Sequence, residues 1–387
     1  SGGEDLGDEE DPADAVTACT LRCDPGQTHL SWATRRTIEL SGLVASPFAG
    51  FGSKIVAHGS QVLVTSPGAG QMLGAGYIFT QVGEEWAVSS LPVPTARRIA
   101  DGFGAAAAID DDVVVIGAPM SEWTDDSGEA VMAGAAFIYQ RVGETFALRQ
   151  TLRGDARQNA AFGLSVATDD GTVMVGAPQD FGPREQGAVF FYDKTDLWAE
   201  PQRLDLPGES PRRFGYSVAL SGNVALASSP DRRQIWMMKR IDGNWRLQRP
   251  LGGVAQSQSV GDHIRMHNTR AMIVNSAGAI QVFNYDIDRD VWTVEANLPG
   301  RGEGNRVVDL EVSERFAWAT YQSGELRILR RNGEVWNEFD AVESAALGTY
   351  YGGVGSGVGH EAHRFFFGDP ASGTAVVVEG APLCDSQ

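Results

Sequence analysis

Seven times along the chain an aromatic-glycine pair, or a worn copy of one, opens an apolar stretch that closes sixteen residues later. The clear copies open at Phe51-Gly52, Phe103-Gly104, Phe162-Gly163 and Phe214-Gly215, and close at Pro67, Pro119, Pro178 and Pro230. The same spacing carried forward runs from Val260-Gly261 to Ser276, from Arg306-Val307 to Gln322, and from Val354-Gly355 to Pro370. A fixed period over most of a chain means a repeat architecture, in which each unit buries its apolar face against the next. It therefore argues for one closed array rather than two or three separate domains.

Within one unit the pattern is that of short strands. In the second copy, Ala105 to Ile109 is a strand of small residues, Asp110-Asp111-Asp112 a tight turn, and Val113 to Ile116 a continuous apolar strand. Gly117-Ala118-Pro119 ends it, because proline donates nothing to a ladder. Ala135 to Gln140 and Phe146 to Leu152 follow as third and fourth strands around a Val142-Gly143-Glu144 turn. Four antiparallel strands and a return loop make one propeller blade. Glycine precedes the third strand at Gly76, Gly134, Gly187, Gly278, Gly324 and Gly373, with Gln234 in its place in the fourth copy, and an aromatic opens the fourth strand at Trp86, Phe146, Trp198, Trp245, Trp292 and Trp336. The rings are expected to pack between neighbouring blades.

Seven openings and six such aromatics leave one blade without its outer strand. Residues 31–42, with Trp32 and the alternating Thr37-Ile38-Glu39-Leu40, have the pattern of that strand. The expected fold is thus an all-β, seven-bladed propeller of four-stranded antiparallel blades spanning 30–384, its last blade closed by the N-terminal strand, which removes the open sheet edge between first and last blades. Residues 1–29 are expected to form an acidic flexible tether.

Phe103-Gly104 with Gly117-Ala118-Pro119, and Phe162-Gly163 with Gly176-Ala177-Pro178, resemble the FG-GAP repeat of the integrin α-subunit head. Phe51-Gly52 with Ser66-Pro67 and Phe214-Gly215 with Ser229-Pro230 look like close variants. The resemblance spans about 350 residues, specific in four copies, weak in the fifth and sixth and partial in the seventh. It implies a seven-bladed propeller that binds macromolecules or glycans outside the cell without catalysis. In that family several repeats carry a calcium loop rich in aspartate. Here the turns between first and second strands (His58-Gly59-Ser60, Asp110-Asp111-Asp112, Asp169-Asp170-Gly171, Ser221-Gly222-Asn223, His267-Asn268-Thr269 and Ser313-Glu314-Arg315) are too short to supply six to eight oxygen ligands. No metal site and no other cofactor is expected, and the aspartates read as solvated turn residues.

Loops that leave second strands and enter first strands share one end of the blades, the ligand face of the family. The longest, Met120 to Ala133, holds Glu122, Trp123, Asp125, Asp126 and Glu129. An exposed ring beside carboxylates suits a sugar or a basic peptide; alternatively Trp123 folds back to cap its own blade. Arg97, Arg98, Arg153, Arg184, Arg212, Arg213, Arg232 and Arg233 recur on neighbouring loops. They either receive carboxylates or sulfates as bidentate donors or answer the excess acid by surface pairing. Arg153-Gly154-Asp155 spells the tripeptide that integrins recognise and reads as coincidence.

The net charge of −19 repels phosphate backbones, so no nucleic-acid partner is expected; the partner is a cell-surface or extracellular protein or a glycan. Seven acidic residues (Glu4, Asp5, Asp8, Glu9, Glu10, Asp11, Asp14) crowd the first fourteen positions. No apolar run is long enough for a transmembrane segment. A lipid-bearing cysteine ahead of Ser1 would make the protein a cell-envelope lipoprotein; a remnant of cloning is the other account of Ser-Gly-Gly. A monomer, secreted or held at the cell surface, is expected. Cys19, Cys23 and Cys384 lie at the two ends of the chain, which suggests a disulfide fastening the termini, although Cys19 and Cys23 could also pair with each other.

Catalytic patterns are missing. The six histidines are scattered, His360-Glu361-Ala362-His363 lacks the spacing of a zinc protease, and no Gly-x-Ser-x-Gly elbow or phosphate loop occurs. Two carboxylates from different blades could still meet without a local signature, which leaves a polysaccharide lyase or hydrolase as the rival reading beside a lectin.

Overall fold

The structure, a computed structural model, describes residues 30–39, 50–83, 85–94, 98–125, 127–154, 159–178, 187–207, 213–254, 260–302, 304–313, 316–323, 325–333, 335–338, 358–361, 364–369 and 373–384. Among them, six four-stranded antiparallel sheets are each built from strands that follow one another along the chain, one of them interrupted by a small two-stranded hairpin, the arrangement of propeller blades. Blade 1 comprises Ile55–His58, Gln61–Ser66, Ala75–Val82 and Glu85–Ser90; blade 2, Ala106–Asp110, Val113–Ala118, Ala135–Val142 and Thr145–Leu152. Blade 3 comprises Ser165–Asp169, Thr172–Ala177, Ala188–Asp193 and Gln202–Leu204; blade 4, Val218–Ser221, Val224–Ser229, Gln234–Ile241 and Asn244–Pro250. Blade 5 comprises Val260–His267, Arg270–Asn275, Ile280–Asp286 and Val291–Leu298; blade 6, Val307–Val312, Phe316–Tyr321, Leu326–Asn332 and Val335–Glu338. A further sheet joins the chain ends: Leu30–Glu39 runs antiparallel to Thr374–Cys384, which continues to Arg364–Asp369 and Val358–Glu361.

The core is divided among the gaps between sheets. One cluster unites Val115, Ile138 and Phe162 with Val175 and Phe190, hence blades 2 and 3. The next unites Met174 and Phe191 of blade 3 with Leu220 and Trp245 of blade 4. Phe51, Val64 and Phe79 of blade 1 pack with Ala375 and Val377 of the end sheet. The expected interblade role of the aromatics holds for Trp245, stacked on Phe191 with centroids 4.3 Å apart, and for Phe146, which joins Leu63 and Ile78 of blade 1. Trp198 also packs between blades, with Val113 and Ile138 of blade 2, but it does not open its fourth strand as expected. It follows a short 3-10 turn, Lys194–Asp196, in a left-handed conformation, and its indole N–H donates to the Gly171 carbonyl at 3.0 Å. The fourth strand of blade 3 starts only at Gln202, because the chain first uses Asp193 to cap that turn.

The repeated motif has a packing cause. Gly52, Gly104, Gly163, Gly215 and Gly261 all adopt positive φ, between 80° and 93°, which glycine alone reaches without strain. The carbonyls of Gly52, Gly104, Gly163 and Gly215 then point at the residue fourteen positions into the preceding repeat. A Cβ at Gly117 would stand 2.0 Å from the Gly163 oxygen, and one at Gly176 equally close to that of Gly215. In blade 1 the corresponding residue is Thr65, whose hydroxyl donates to the Gly104 carbonyl at 2.8 Å. Gly368 of the end sheet meets the Gly52 carbonyl in the same way, at 2.2 Å from the position of a Cβ. First strands accordingly lie side by side through blades 1 to 6, and Val358–Glu361 touches those of blades 6 and 1.

The turns at the opposite end from the long loops are cross-linked between blades. Asp112 of blade 2 accepts from Lys194 of blade 3 at 2.5 Å, Asp193 of blade 3 from Arg240 of blade 4, and Asp290 of blade 5 from Lys239 of blade 4 at 2.9 Å. His58 reaches across to Asp111 at 2.9 Å. Asp111 and Asp112, read from sequence as merely solvated, are interblade ties. Short two-residue turns bring them to one rim, where a neighbour's basic residue is the available partner.

Candidate binding site

The loop after Pro119 is not irregular. Glu122–Thr124 pairs with Ala130–Met132 to form a small side hairpin on blade 2, which the sequence reading treated as open loop. Asp125 shapes its turn, accepting from the Ser127 amide (2.9 Å), the Ser127 hydroxyl (2.6 Å) and the Glu129 amide (3.0 Å). The Ser127 hydroxyl and these amides hold the Asp125 carboxyl below the usual carboxylate range. Asp125 Oδ1 thus shapes the hairpin turn, a structural role that the sequence reading did not give it.

Trp123 falls between its two expected states. The ring is half-buried and its indole N–H donates to the Gly134 carbonyl at 3.2 Å, so it does fold back on its blade. One face nevertheless stays available to Arg153, whose guanidinium carbon lies 5.2 Å from the ring centroid. Glu122 pairs with Arg98 at 2.5 Å. Pro94, Ser121, Glu122, Trp123, Phe137 and Arg153 contribute to the walls of a pocket of about 120 Å³ beside the hairpin. Among the described residues no carboxylate or carbonyl accepts from the Arg153 guanidinium.

Of the other described arginines, Arg98 reaches this pocket only through its pair with Glu122, and Arg213, Arg232 and Arg233 do not line it. Arg213 donates through two nitrogens to Asp231, at 3.0 and 2.8 Å, and covers Tyr216. Surface pairing, the second of the two accounts of the arginines, is thus realised at Arg98 and Arg213. Arg232 sits in the short 3-10 turn Pro230–Arg232 of blade 4, apart from Trp123. Asp126, Arg184, Arg212, Cys19 and Cys23 lie outside the described residues, as does the Val354-Gly355 opening; the backbone of Cys384 pairs opposite Leu30.

Two constellations were missed from sequence. His58, Asp110 and Asp111 bring ligand-type atoms within 4.8 Å of one another at the turns of blades 1 and 2, a grouping that the sequence reading, taking each turn by itself, did not make. They are already joined by hydrogen bonding between His58 and Asp111 and are largely exposed, so no metal is assigned to them. The second lies among first strands. Asp309, with a side chain only 1% exposed, accepts from Arg265 of blade 5 at 3.0 Å and lies 3.6 Å from Lys54, beside blade 1. Burial opposes ionisation of Asp309, yet Lys54 and Arg265 hold its carboxyl below the usual range. On the same strand burial raises Glu311 to about 7, while burial and the nearby Lys54 and Arg265 depress His263 to about 4. The run Val307-Val308-Asp309-Leu310-Glu311-Val312 carried a signal, two acids at a spacing of two inside an apolar strand.

No family model matches the chain, and no curated protein matches it either. Solved structures do: the WD40 β-propeller domain of Doa1 is similar over 90% of this chain and 96% of that one, with a TM-score of 0.57 at 12% identity. The chain has a β-propeller fold. At that identity the likeness extends to architecture alone, and the binding surface must be argued from this chain's own residues. Among the described residues no helix is long and apolar enough to cross a membrane.

Proposed function

We propose that this protein is a non-catalytic extracellular binding protein of the FG-GAP type. In this reading it is a closed seven-bladed propeller, monomeric, secreted or held at the cell surface through a lipid anchor on its acidic tether, that takes a protein or glycan partner on the face bearing the side hairpin. Closure is supported by the contact of Gly368 with Gly52, which repeats the joint of Gly117 with Gly163, and by the pairing of Leu30–Glu39 with Thr374–Cys384. The binding reading rests on one observation above all: a pocket between an aromatic ring and an arginine that meets no acceptor among the described residues, carried on an added hairpin. Arg153 and Trp123 are held on a rigid blade, so little ordering is lost on association.

The enzyme alternative needs two accessible carboxylates from different blades; Asp309 and Glu311 share one strand, and the Asp309 side chain is 1% exposed. Loss of polymer viscosity on adding the purified protein would establish it. For the binding reading, residues 122–132 are replaced by a short Gly-Ser turn. Binding to glycan arrays and to cell-surface protein extracts should fall to background while circular dichroism and the thermal midpoint hold. Unchanged binding by the replaced protein would move the site elsewhere.

A further inference from the structure

Exposed large apolar side chains are unevenly placed. On one face, Val82, Val142, Ile287, Val291 and Val335 stand at hairpins between third and fourth strands, spread over four blades, as single surface residues commonly do. On the other, Met72, Val93, Ile99, Met120 and Met132 concentrate on the loops of blades 1 and 2. They are tied together by the backbone. Ala100 donates to the Met72 carbonyl at 2.9 Å and Met120 to the Asp101 carbonyl at 3.0 Å, while Val93 adjoins Pro94 of the pocket and Met132 pairs with Glu122 in the hairpin. Ile99, at the centre of this stretch, is 65% exposed.

We propose that this patch and the Trp123 pocket form one docking surface for a protein segment that carries a carboxylate next to a large apolar side chain. This rests on the reading above and names its partner. The carboxylate is received by Arg153, whose guanidinium carbon lies over the Trp123 ring, 5.2 Å from its centroid, and which meets no acceptor among the described residues. The neighbouring apolar side chain enters between Trp123, Phe137 and Leu148, and the flanking residues spread over Met120 and Ile99. A glycan fits this surface poorly. Methionine and isoleucine offer no hydrogen bonds to hydroxyl groups, the indole N–H of Trp123 is already taken by Gly134, and flexible thioethers adapt to apolar side chains.

The test selects a random-peptide phage library on the intact protein and measures the consensus peptide by calorimetry. Enriched sequences should pair Asp or Glu with Leu, Ile, Met, Phe or Trp within two positions. Arg153→Gln should weaken the peptide at least about tenfold, the usual scale of a charged hydrogen-bonded contact. Arg153→Lys should remain several-fold weak because an ammonium cannot reproduce the fork. Trp123→Ala should also lose binding, with Arg153→Gln guarding against a fold defect in that variant. Peptides bound equally by wild type and Arg153→Gln would overturn the docking site while leaving a binding propeller intact. Enrichment failing while acidic glycans bind would overturn the protein segment. Neither class binding would overturn the binding reading itself.

Discussion

Alanine at Gly117 or Gly176 is expected to destabilise the protein by about 3 kcal/mol, the upper part of the range for overpacking a close contact. Neither glycine has the left-handed backbone that strains a side chain, so the effect isolates close approach. The new methyl would stand 2.0 Å from a carbonyl oxygen of the next blade, and both partners are backbone, so no rotamer change relieves the clash. The blades must part, and the apolar cluster between them opens with them. Gly252→Ala is the control, since a Cβ there meets nothing within 4 Å and its backbone is not left-handed; it should change stability little or raise it slightly. Denaturant midpoints of the three variants give the comparison. Gly368→Ala extends it to the proposed seventh blade, where a Cβ would lie 2.2 Å from the Gly52 oxygen. Destabilisation matching that of Gly117→Ala is the expected result for a closed ring. A wild-type midpoint for Gly368→Ala would mean that the end sheet does not bear on blade 1.

These glycines also mark how far the sequence could be read. The interval from Phe103 to Pro119 exposed strand order, turn length and blade repetition because each is local: two strands, a two-residue turn and a terminating proline fit within sixteen residues. The pairing of Leu30–Glu39 with Thr374–Cys384 was also legible, since the leftover strand and the incomplete repeat could be counted. Polar contacts between blades were not. His58 with Asp111, Lys194 with Asp112 and Arg265 with Asp309 join residues 44 to 82 positions apart. Nothing in a turn's composition tells which basic side chain the neighbouring blade will present. The candidate site was legible in part. Trp123 stood out as a tryptophan outside the blade pattern, but its hydrogen bond to Gly134 and its contact with Arg153 depend on a hairpin whose three-residue strands are too short for an alternation to register. Arg213, chosen by the same reasoning as Arg153, pairs with Asp231 because a short 3-10 turn happens to place that acid beside it.

The buried groups between blades 5 and 6 should make stability respond to pH in opposite directions in two variants. Glu311 is raised from its ordinary value to about 7 by burial, so the native state holds a proton that the unfolded chain has released. Its contribution is fully present below about 4.5 and is lost as pH rises through 7. His263 is depressed to about 4, so here the unfolded chain binds the extra proton, and stability is lost as pH falls from about 6.5 to 4. Over the shared window the two slopes oppose each other, each at most about 1.4 kcal/mol per pH unit. Because 22% of the Glu311 side chain remains exposed, solvent screening makes that figure an upper bound. Neither group is among the causes of the other's shift: burial comes first for both, followed by Lys54, Asp309 and Arg265 for His263 and by Arg265, the Val312 amide and Asp309 for Glu311. Removing one should therefore uncover the other. Relative to wild type, Glu311→Gln should lose stability on acidification from pH 6.5 to 4.5, whereas His263→Gln should gain it over the same interval. Urea unfolding at several pH values reads both slopes. Parallel pH profiles for the two variants would mean that these side chains keep their ordinary proton affinities in the folded protein, and that the gap around Asp309 is open to water.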